Sequence, residues 1–254
     1  MSAPGPGHAP GPASPVDTLR ALHHGRAPGD PLVLPGPWDA VSARTLEEAG
    51  SPALATPSAG IALSLGYEDG QVPPGEMFAA IARITRSVSV PVSADVEDGY
   101  GLAPKELVER LLAAGAVGCN LEDSVGGTGA GSATALRDPA AQADFLAEVR
   151  AAAGDRLFVN ARVDTFLRGE PDPEAAIARA RLYVAAGADC VYPILAPPQT
   201  IPALRAGIEG PLNVLARPDG PSPRELGHLG ATRVTFGPGL LHKAMRALAE
   251  PIGQ

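Results

Sequence analysis

A recurring phrase of polar and apolar positions runs along this chain. A capping residue and a proline open an Ala/Leu-rich segment, a glycine closes it, and an apolar run follows. Asp138-Pro139 opens a segment that ends at Gly154, and Asp172-Pro173 opens one that ends at Gly187. Asp accepts the free N–H groups of a helix start, Pro costs no hydrogen bond at the first helical position, and Gly favours the left-handed helix end. The phrase therefore predicts helices that alternate with strands.

The apolar runs that follow these glycines are continuous, as expected of parallel strands covered on both faces. After Pro104, apolar residues recur at helical spacing at Leu107, Leu111 and Leu112. A short additional helix is predicted at about Val16 to His24. The predicted strands lie near residues 31–36, 52–56, 90–95, 117–122, 157–162, 189–195, 212–216 and 232–237.

Eight strand–helix units predict an α/β fold whose parallel strands close into a (β/α)8 TIM barrel. A doubly wound open sheet is the alternative, but no G-x-G-x-x-G follows the first strand to favour it. The length of 254 residues fits one barrel. We expect a single catalytic barrel domain over residues 16–254, preceded by a disordered Pro/Gly-rich tail over residues 1–15.

Charge and composition limit the classes of partner. The formal net charge is −8 and no Lys/Arg cluster occurs, which argues against nucleic acid or an anionic membrane as a partner. No apolar stretch is as long as a membrane span, and the first residues do not resemble a signal peptide. Cys119 and Cys190 lie inside apolar runs and are expected to be buried free thiols. The expectation is a cytoplasmic protein.

Acidic side chains follow two neighbouring predicted strands. Asp95 and Glu97 follow the third strand, Glu122 ends the fourth, and Arg162 at the end of the fifth is the nearest cation. Functional groups of such barrels project from the carboxyl ends of the strands. Carboxylates that converge without His or Cys match the oxygen ligands preferred by Mg²⁺ or Mn²⁺. The alternative is a solvated loop with a structural ion pair to Arg162.

Several segments together resemble one known superfamily. SADVEDGYG, CNLEDS and VNARVDT resemble motifs of the isocitrate lyase/phosphoenolpyruvate mutase superfamily, as do PGPWDAVSARTLEEAG and TPSAGIALSLGYEDG. The resemblance covers the chain from about Leu32 to Leu248. It implies a (β/α)8 barrel, often a homo-oligomer (dimer or tetramer) whose last helix is exchanged between subunits. It also implies a Mg²⁺ ion that binds a 2-oxo acid and its enolate.

The resemblance assigns a metal set to the acidic residues. Asp95 resembles the direct metal ligand, and Glu97 and Glu122 resemble acids that act on the metal, in part through water. Asp69 matches an acid that faces the metal and the substrate. Without the resemblance, Asp69 in YEDG would be a turn residue. The implied catalytic set is Asp69, Asp95, Glu122 and Arg162.

A second set is expected to bind the substrate. Arg162 matches the arginine that holds the anionic end of the substrate, as a bidentate clamp. Ser58 and Ala59 fall in the loop whose backbone N–H groups bind a carboxylate. Three further side chains belong to the set, each with an open alternative. Trp38 is an apolar wall of the site or a core residue, and Asp39 is a substrate contact or a helix cap. Asn120 is a substrate contact or a hydrogen-bond partner of neighbouring carboxylates.

The predicted function is a Mg²⁺-dependent enzyme, a lyase in the broad sense, that acts next to the carbonyl of a small 2-oxo acid through a metal-stabilised enolate. Cleavage of a C–C bond in an oxaloacetate-like substrate, by decarboxylation, retro-aldol reaction or hydrolysis, is preferred. The alternative enzyme is a P–C bond mutase or hydrolase for phosphonopyruvate-like or phosphoenolpyruvate-like compounds. The alternative outside catalysis is a metabolite-binding barrel.

The loop after the fourth strand departs from the superfamily pattern. The lyases carry Lys-Lys-Cys-Gly-His there, and the mutases carry a longer polar loop with Lys and Asn. This chain reads EDSVGGTGAGSATALRDP instead. The departure argues against classical isocitrate or methylisocitrate lyase activity and against a true phosphonate mutase. The four glycines in residues 126–131 predict a mobile lid.

Overall fold

The structure is a computed structural model that describes residues 13–125 and 135–252. Its strands are β1 Leu32–Val33, β2 Leu54–Thr56, β3 Val92–Asp95, β4 Gly118–Glu122, β5 Ser124–Val125, β6 Ala135–Leu136, β7 Phe158–Val163, β8 Cys190–Pro193, β9 Asn213–Leu215 and β10 Arg233–Thr235. Its α-helices are α1 Pro15–His23, α2 Ala40–Glu48, α3 Ser58–Leu65, α4 Pro74–Thr85, α5 Pro104–Ala113, α6 Pro139–Ala153, α7 Pro173–Ala185, α8 Ile201–Gly207, α9 Pro223–Leu229 and α10 Gly239–Ala249.

Eight of these strands are parallel and close into a barrel. One set pairs in the order β2-β3-β4-β7-β8, and a second set pairs in the order β1-β10-β9. A parallel bridge between Val191 and Leu212 joins β8 to the start of β9. The N–H of Ala55 donates to the carbonyl of Pro35 at 3.1 Å, which joins β2 to the residues after β1. The predicted (β/α)8 barrel is therefore confirmed.

The capping residues form the helix starts that the sequence pattern predicts. The Asp138 side chain accepts hydrogen bonds from the N–H groups of Ala140 and Ala141 at the start of α6. The Asp172 side chain accepts one from Glu174 at the start of α7. These bonds satisfy N–H groups that have no partner inside the helix. The phrase of the sequence thus sets the helix boundaries.

Two features of the fold were not expected. Two helices, α3 and α4, follow β2 where one was predicted, because α3 begins directly after Pro57 without a side-chain cap and leaves no capping signal. A two-stranded antiparallel hairpin of β5 and β6 follows β4. The predicted lid, residues 126–131, lies between these two strands and outside the described residues. The predicted tail lies mostly in residues 1–12, also outside them, and α1 begins at Pro15.

The barrel strands bury side chains on both faces. One set packs with helix residues in the main core, for example Cys119, Leu121 and Val159. The opposite set points into the barrel, and near the amino-terminal ends of the strands it forms a second, smaller core with Leu19 of α1. That smaller core contains Leu19, Leu32, Leu34, Ala53, Ala55, Phe158 and Cys190. Helix α1 therefore covers the amino-terminal end of the barrel.

Other predictions concern the cysteines and the last helix. Cys119 and Cys190 are free and buried, as expected. Within the described ranges, no helix has both the length and the apolar character that crossing a membrane requires. Helix α10 buries Leu241 and leaves Met245 and Leu248 exposed. The exchange of this helix between subunits stays a prediction.

Candidate active site at the barrel mouth

A cavity of about 350 Å³ lies at the carboxyl ends of the barrel strands. Most of the strands contribute to its wall, which is where parallel barrels carry their functional groups. The strand residues that line it are Ala55, Thr56, Asp95, Asn120, Arg162, Tyr192, Leu215 and Thr235. Residues of the following loops and of α3 add Ser58, Ala59, Asp69, Ile194, Leu195 and Pro238, among others. Three of the predicted charged site residues thus line the same cavity: Asp69, Asp95 and Arg162.

Asp95 is held at the end of β3 by the start of α3. Its Oδ2 accepts from the Ser58 hydroxyl at 3.1 Å and from the Ser58 N–H at 3.4 Å. Its Oδ1 accepts from the N–H of Glu97 at 3.4 Å. Burial raises the pKa of Asp95 and the charge of Arg162 opposes this effect. The carboxylate is therefore oriented by backbone and hydroxyl donors rather than by a direct ion pair.

Glu97 lies beside Asp95 in an unusual backbone conformation. Its φ is 54°, in the left-handed region that a residue other than glycine enters at a cost. Its side chain is buried, and Oε1 has no hydrogen-bond partner within the described part of the chain. Burial, together with the charges of Asp95 and Asp69, raises the pKa of Glu97 to about 8. The protein thus keeps a carboxyl group in a place that disfavours its charge.

Arg162 forms a buried network with two acids. Its Nε and Nη2 donate to the two carboxylate oxygens of Asp164 at 2.7 and 2.8 Å. Its Nη2 also forms an ion pair with Glu122, the residue opposite it in the β4–β7 register. Burial alone would lower the pKa of Arg162, but Asp164 and Glu122 raise it well above its usual value. The guanidinium is therefore permanently charged.

This network corrects the expected substrate clamp. A bidentate clamp needs two parallel N–H groups, and the Nε–Nη2 edge of Arg162 is already bound to Asp164. Nη1 makes no hydrogen bond to a described residue, and Arg162 lines the cavity. Arg162 therefore offers the cavity one nitrogen, Nη1, with two N–H donors, and a positive charge.

Asp164 and Asp123 are buried acids next to the site that sequence reasoning did not select. Asp123 is fully buried and accepts from the N–H of Asp164 at 2.8 Å, from the Tyr183 hydroxyl at 2.7 Å and from Arg179 at 3.1 Å. The i, i+2 spacing of Arg162 and Asp164 places both on one face of the chain and was the available signal. Nothing in the sequence pointed to Tyr183, because α7 brings it in from 60 residues away.

The remaining predicted residues divide into two groups. Ser58, Ala59 and Asn120 line the same cavity as Asp95. Asp39 instead caps α2, where its Oδ1 accepts from the N–H of Ser42 at 2.7 Å, and its side chain is exposed. Trp38 borders a separate groove between α2, α3 and α4. The substrate roles of Trp38 and Asp39 stay predictions that the observed placement does not support.

The donor set fits a hard cation that keeps most of its waters. Among residues 13–125 and 135–252, no three His, Cys, Asp or Glu side chains form a ready ligand cluster. Mg²⁺ commonly takes one or two carboxylates and fills its other positions with water. Asp95 faces the cavity, and Glu97 and Glu122 each have an Oε1 without a partner among these residues. Two unsatisfied buried acceptors beside a carboxylate are chemically suited to a hydrated cation.

Comparisons with known proteins identify the family of this chain. The profile of the family described as phosphoenolpyruvate phosphomutase matches residues 19–254. An uncharacterised protein of Mycobacterium tuberculosis, Rv1998c, is 37% identical over 218 residues, which are 85% of this chain and 80% of the relative. A solved protein from Burkholderia cenocepacia J2315, described as a phosphonomutase, is 39% identical with a TM-score of 0.85, over 94% of this chain and 99% of that chain.

More distant matches show the range of reactions in the superfamily. An oxaloacetate acetylhydrolase solved with 3,3-difluorooxalacetate is 25% identical with a TM-score of 0.82, over 93% of this chain and 84% of that chain. Other matches are 2-methylisocitrate lyases and a phosphonopyruvate hydrolase solved with oxalate and Mg²⁺, whose 22% identity shows the fold alone. The chain belongs to the phosphoenolpyruvate phosphomutase family, within the isocitrate lyase/phosphoenolpyruvate mutase superfamily of lyases and mutases.

Proposed function

We propose that this protein is a divalent-metal-dependent enzyme that cleaves the C–C bond next to the carbonyl of a small, oxaloacetate-like 2-oxo acid. The observation that carries the proposal is that Asp95 and Arg162 face one cavity of about 350 Å³. This volume is near the lower limit for ligand sites, so it suits a small acid. The carboxylate and the guanidinium come from β3 and β7, on either side of β4, so their separation is set by the barrel.

The metal would be held mainly by Asp95. Glu97 and Glu122 would accept hydrogen bonds from its water ligands through their free Oε1 atoms. When bound, Mg²⁺ or Mn²⁺ supplies the positive charge that stabilises an enolate oxygen. The hydrogen bonds from Ser58 fix the Asp95 carboxylate, so the ligand does not need to reorganise on binding.

The other side chains would bind and orient the acid. Arg162 donates through Nη1 to a substrate carboxylate, and its charge is maintained by Asp164 and Glu122. Asp69 lies on the wall of the same cavity, where we propose that it faces the substrate. The apolar wall, which includes Ile194 and Leu215, limits water around the reacting carbon.

Cleavage of a P–C bond in a phosphonopyruvate-like compound is the second candidate. The similarity to the Burkholderia protein described as a phosphonomutase favours it. Among the described residues that line the cavity, however, Arg162 is the only one with a cationic side chain. A phosphonate dianion carries two charges on one group, whereas a single guanidinium matches the charge of one carboxylate, so we favour a carboxylate at this position.

Binding of oxalate, a mimic of the enolate, tests the metal site. We expect oxalate to raise the melting temperature only when Mg²⁺ is also present, because oxalate binds to the metal ion. At an oxalate concentration of 100 times its Kd, the free energy of unfolding should rise by about 2.7 kcal/mol. Asp95→Ala should abolish the joint effect. The matched control is Asp98→Ala, in the same loop, whose carboxylate accepts the N–H of Tyr100 and does not line the cavity. Full joint stabilisation of Asp95→Ala would contradict the proposal.

The products distinguish the two reactions. Hydrolysis of oxaloacetate gives oxalate and acetate, and its decarboxylation gives pyruvate and CO₂. Retro-aldol cleavage of a 4-hydroxy-2-oxo acid gives pyruvate and a second carbonyl compound, and hydrolysis of phosphonopyruvate gives pyruvate and inorganic phosphate. A panel of 2-oxo acids and phosphonates with Mg²⁺ would be assayed for these products. Phosphate release without any C–C cleavage would transfer the assignment to P–C chemistry. Oxalate binding without turnover of any compound would favour a metabolite-binding barrel.

A further inference from the structure

Beneath the active-site cavity lies a cationic side chain, Arg233, to which the proposed function assigns no role. Arg233 is on β10, two residues before the cavity-lining Thr235, so its side chain points into the barrel one layer below the cavity. It is fully buried, and its Nε and Nη1 have no hydrogen-bond partner in the described part of the chain. It forms no ion pair with a described carboxylate. A buried guanidinium without a counter-ion is costly, so a benefit must offset it.

Among the described residues, the side chain of Arg233 forms one hydrogen bond, and this bond leads to the active site. Its Nη2 lies 3.5 Å from Oδ1 of Asn120, which lines the cavity. The side chain of Asn160 donates to the same oxygen at 2.7 Å. Two donors therefore meet at a single acceptor atom, and both approach it from the interior of the barrel.

This arrangement fixes the orientation of the Asn120 amide. An arginine can only donate, so the atom that it contacts must be the amide oxygen and not the nitrogen. With Oδ1 held by these two donors, the amide nitrogen of Asn120 is left for the cavity, and no hydrogen bond joins it to another described residue. A neutral donor is thus presented to the space beside Asp95 and Arg162.

We propose that Arg233 is a positioning residue that acts through Asn120 to bind an anionic oxygen of the substrate. Asn120 donates an N–H to a carboxylate or enolate oxygen, while Arg233 and Asn160 prevent its amide from turning over. This inference rests on the proposed function, because it assigns an additional contact to the same substrate.

A double-mutant cycle tests the inference on the intact protein. The dissociation constant of oxalate is measured by calorimetry at saturating Mg²⁺ for the wild type, Arg233→Met, Asn120→Ala and the double variant. We expect each single variant to bind about 10-fold more weakly, the loss of one hydrogen bond to a charged group. The double variant should bind no more weakly than Asn120→Ala, because Arg233 acts through Asn120. Arg233→Lys, which keeps a charge and a donor, should recover part of the loss.

Stability and a matched control separate positioning from a structural role. Replacing an unpaired buried charge with an apolar side chain of similar length should leave the melting temperature of Arg233→Met unchanged or higher. A structural role would lower it. Ser93→Ala is the control, since Ser93 is buried two residues before Asp95 on β3, the same relation that Arg233 has to Thr235. Its oxalate binding should match the wild type. Asn160→Ala, which removes the second donor, supplies an independent test if Arg233→Met does not fold.

The outcomes distinguish this inference from the proposed function. Wild-type affinity for oxalate in Arg233→Met, or an equal further loss when it is added to Asn120→Ala, would overturn the positioning role and leave the metal site intact. An absence of Mg²⁺-dependent oxalate binding in the wild type would overturn both proposals.

Discussion

The two ends of the barrel interior differ although the same eight strands build both. At the amino-terminal end, most inward side chains are apolar and pack with Leu19 of α1. At the carboxyl-terminal end they are acids, amides and an arginine around a cavity. Strand β7 shows the change within one element, because its inward positions are Phe158, Asn160 and Arg162 in that order.

The two ends of the barrel have different roles: one contributes to the stability of the fold and the other carries the candidate active site. The lower end is covered by α1 and contributes apolar burial. The upper end places carboxylates where burial raises the pKa of Asp95 and of Glu97, which costs stability and is typical of functional sites. Substitutions at the lower end should therefore change folding alone, whereas those at the upper end should change binding.

The largest effect is expected from Arg162→Met, which leaves two buried acids, Glu122 and Asp164, without their cation. We expect unfolding free energy to fall by about 3–5 kcal/mol, as when one partner of a buried pair is removed, and oxalate binding to be lost. Denaturant unfolding and calorimetry measure the two quantities. The control is Arg110→Met, since Arg110 pairs with Glu106 on the surface and should contribute about 0.5 kcal/mol or less. Unchanged stability of Arg162→Met would show that the network does not hold the upper end together.

A second substitution acts on the lower end. Leu19→Ala removes a fully buried side chain of α1 from the small core and should cost about 2–5 kcal/mol, because it leaves a cavity. The affinity of the folded protein for oxalate with Mg²⁺ should stay that of the wild type. Leu63→Ala, at a position with 48% exposure, is the control and should change stability little. A loss of oxalate affinity in Leu19→Ala would break the separation between the two ends.

The smallest effect concerns pH at the lower end. His23 stacks on Phe158 with 4.1 Å between ring centroids, and its Nδ1 lies 2.7 Å from the carbonyl of Leu19. Burial and the charge of Arg233 lower the pKa of His23 from 6.5 to about 3. The unfolded chain therefore takes up a proton first as the pH falls, and stability is lost below about pH 6.5 until the folded pKa is reached.

The loss should be about 1.4 kcal/mol per pH unit, or about 2 kcal/mol between pH 6.5 and 5. His23→Phe keeps the stacked ring but cannot take up a proton. Between pH 6.5 and 5, we expect its loss of unfolding free energy to be about 2 kcal/mol smaller than that of the wild type. The exposed neighbour supplies the control, because His24→Phe should retain the wild-type pH dependence. Chemical unfolding at a series of pH values measures the difference, and parallel curves for the wild type and His23→Phe would contradict the buried neutral state.

The fold was largely predictable because its signals are local. Capping residues, helix-start prolines and closing glycines act within one turn, so Asp138 and Asp172 mark the same boundaries in the sequence and in the structure. Helix α3 was missed for the same reason, since it begins after Pro57 without a capping side chain. The antiparallel hairpin β5–β6 pairs residues from the two ends of a loop, and no local pattern encodes that pairing.

The active site was predictable as far as strand ends determine it. Asp95, Asn120 and Arg162 come together because the carboxyl ends of parallel strands meet at one edge, a consequence of topology. Trp38 and Asp39 also follow a strand, yet the backbone after Pro35 turns Asp39 into the cap of α2. Strand ends therefore identify the region of the site, but loop geometry selects which of their side chains enter it.

The sequence by itself determined the alternation of elements, the barrel and the group of acids at its mouth, because hydrophobic period and helix caps are properties of neighbouring residues. Only the tertiary structure decided how charges are paired. It pairs one edge of Arg162 with Asp164 and brings Tyr183 to Asp123. It also leaves Arg233, near Asn120, without a counter-ion in the part of the chain that the structure describes. The reason is that a side chain's partner depends on which strands and helices, distant in sequence, face it across the barrel. The spacing of residues in the sequence does not specify these contacts.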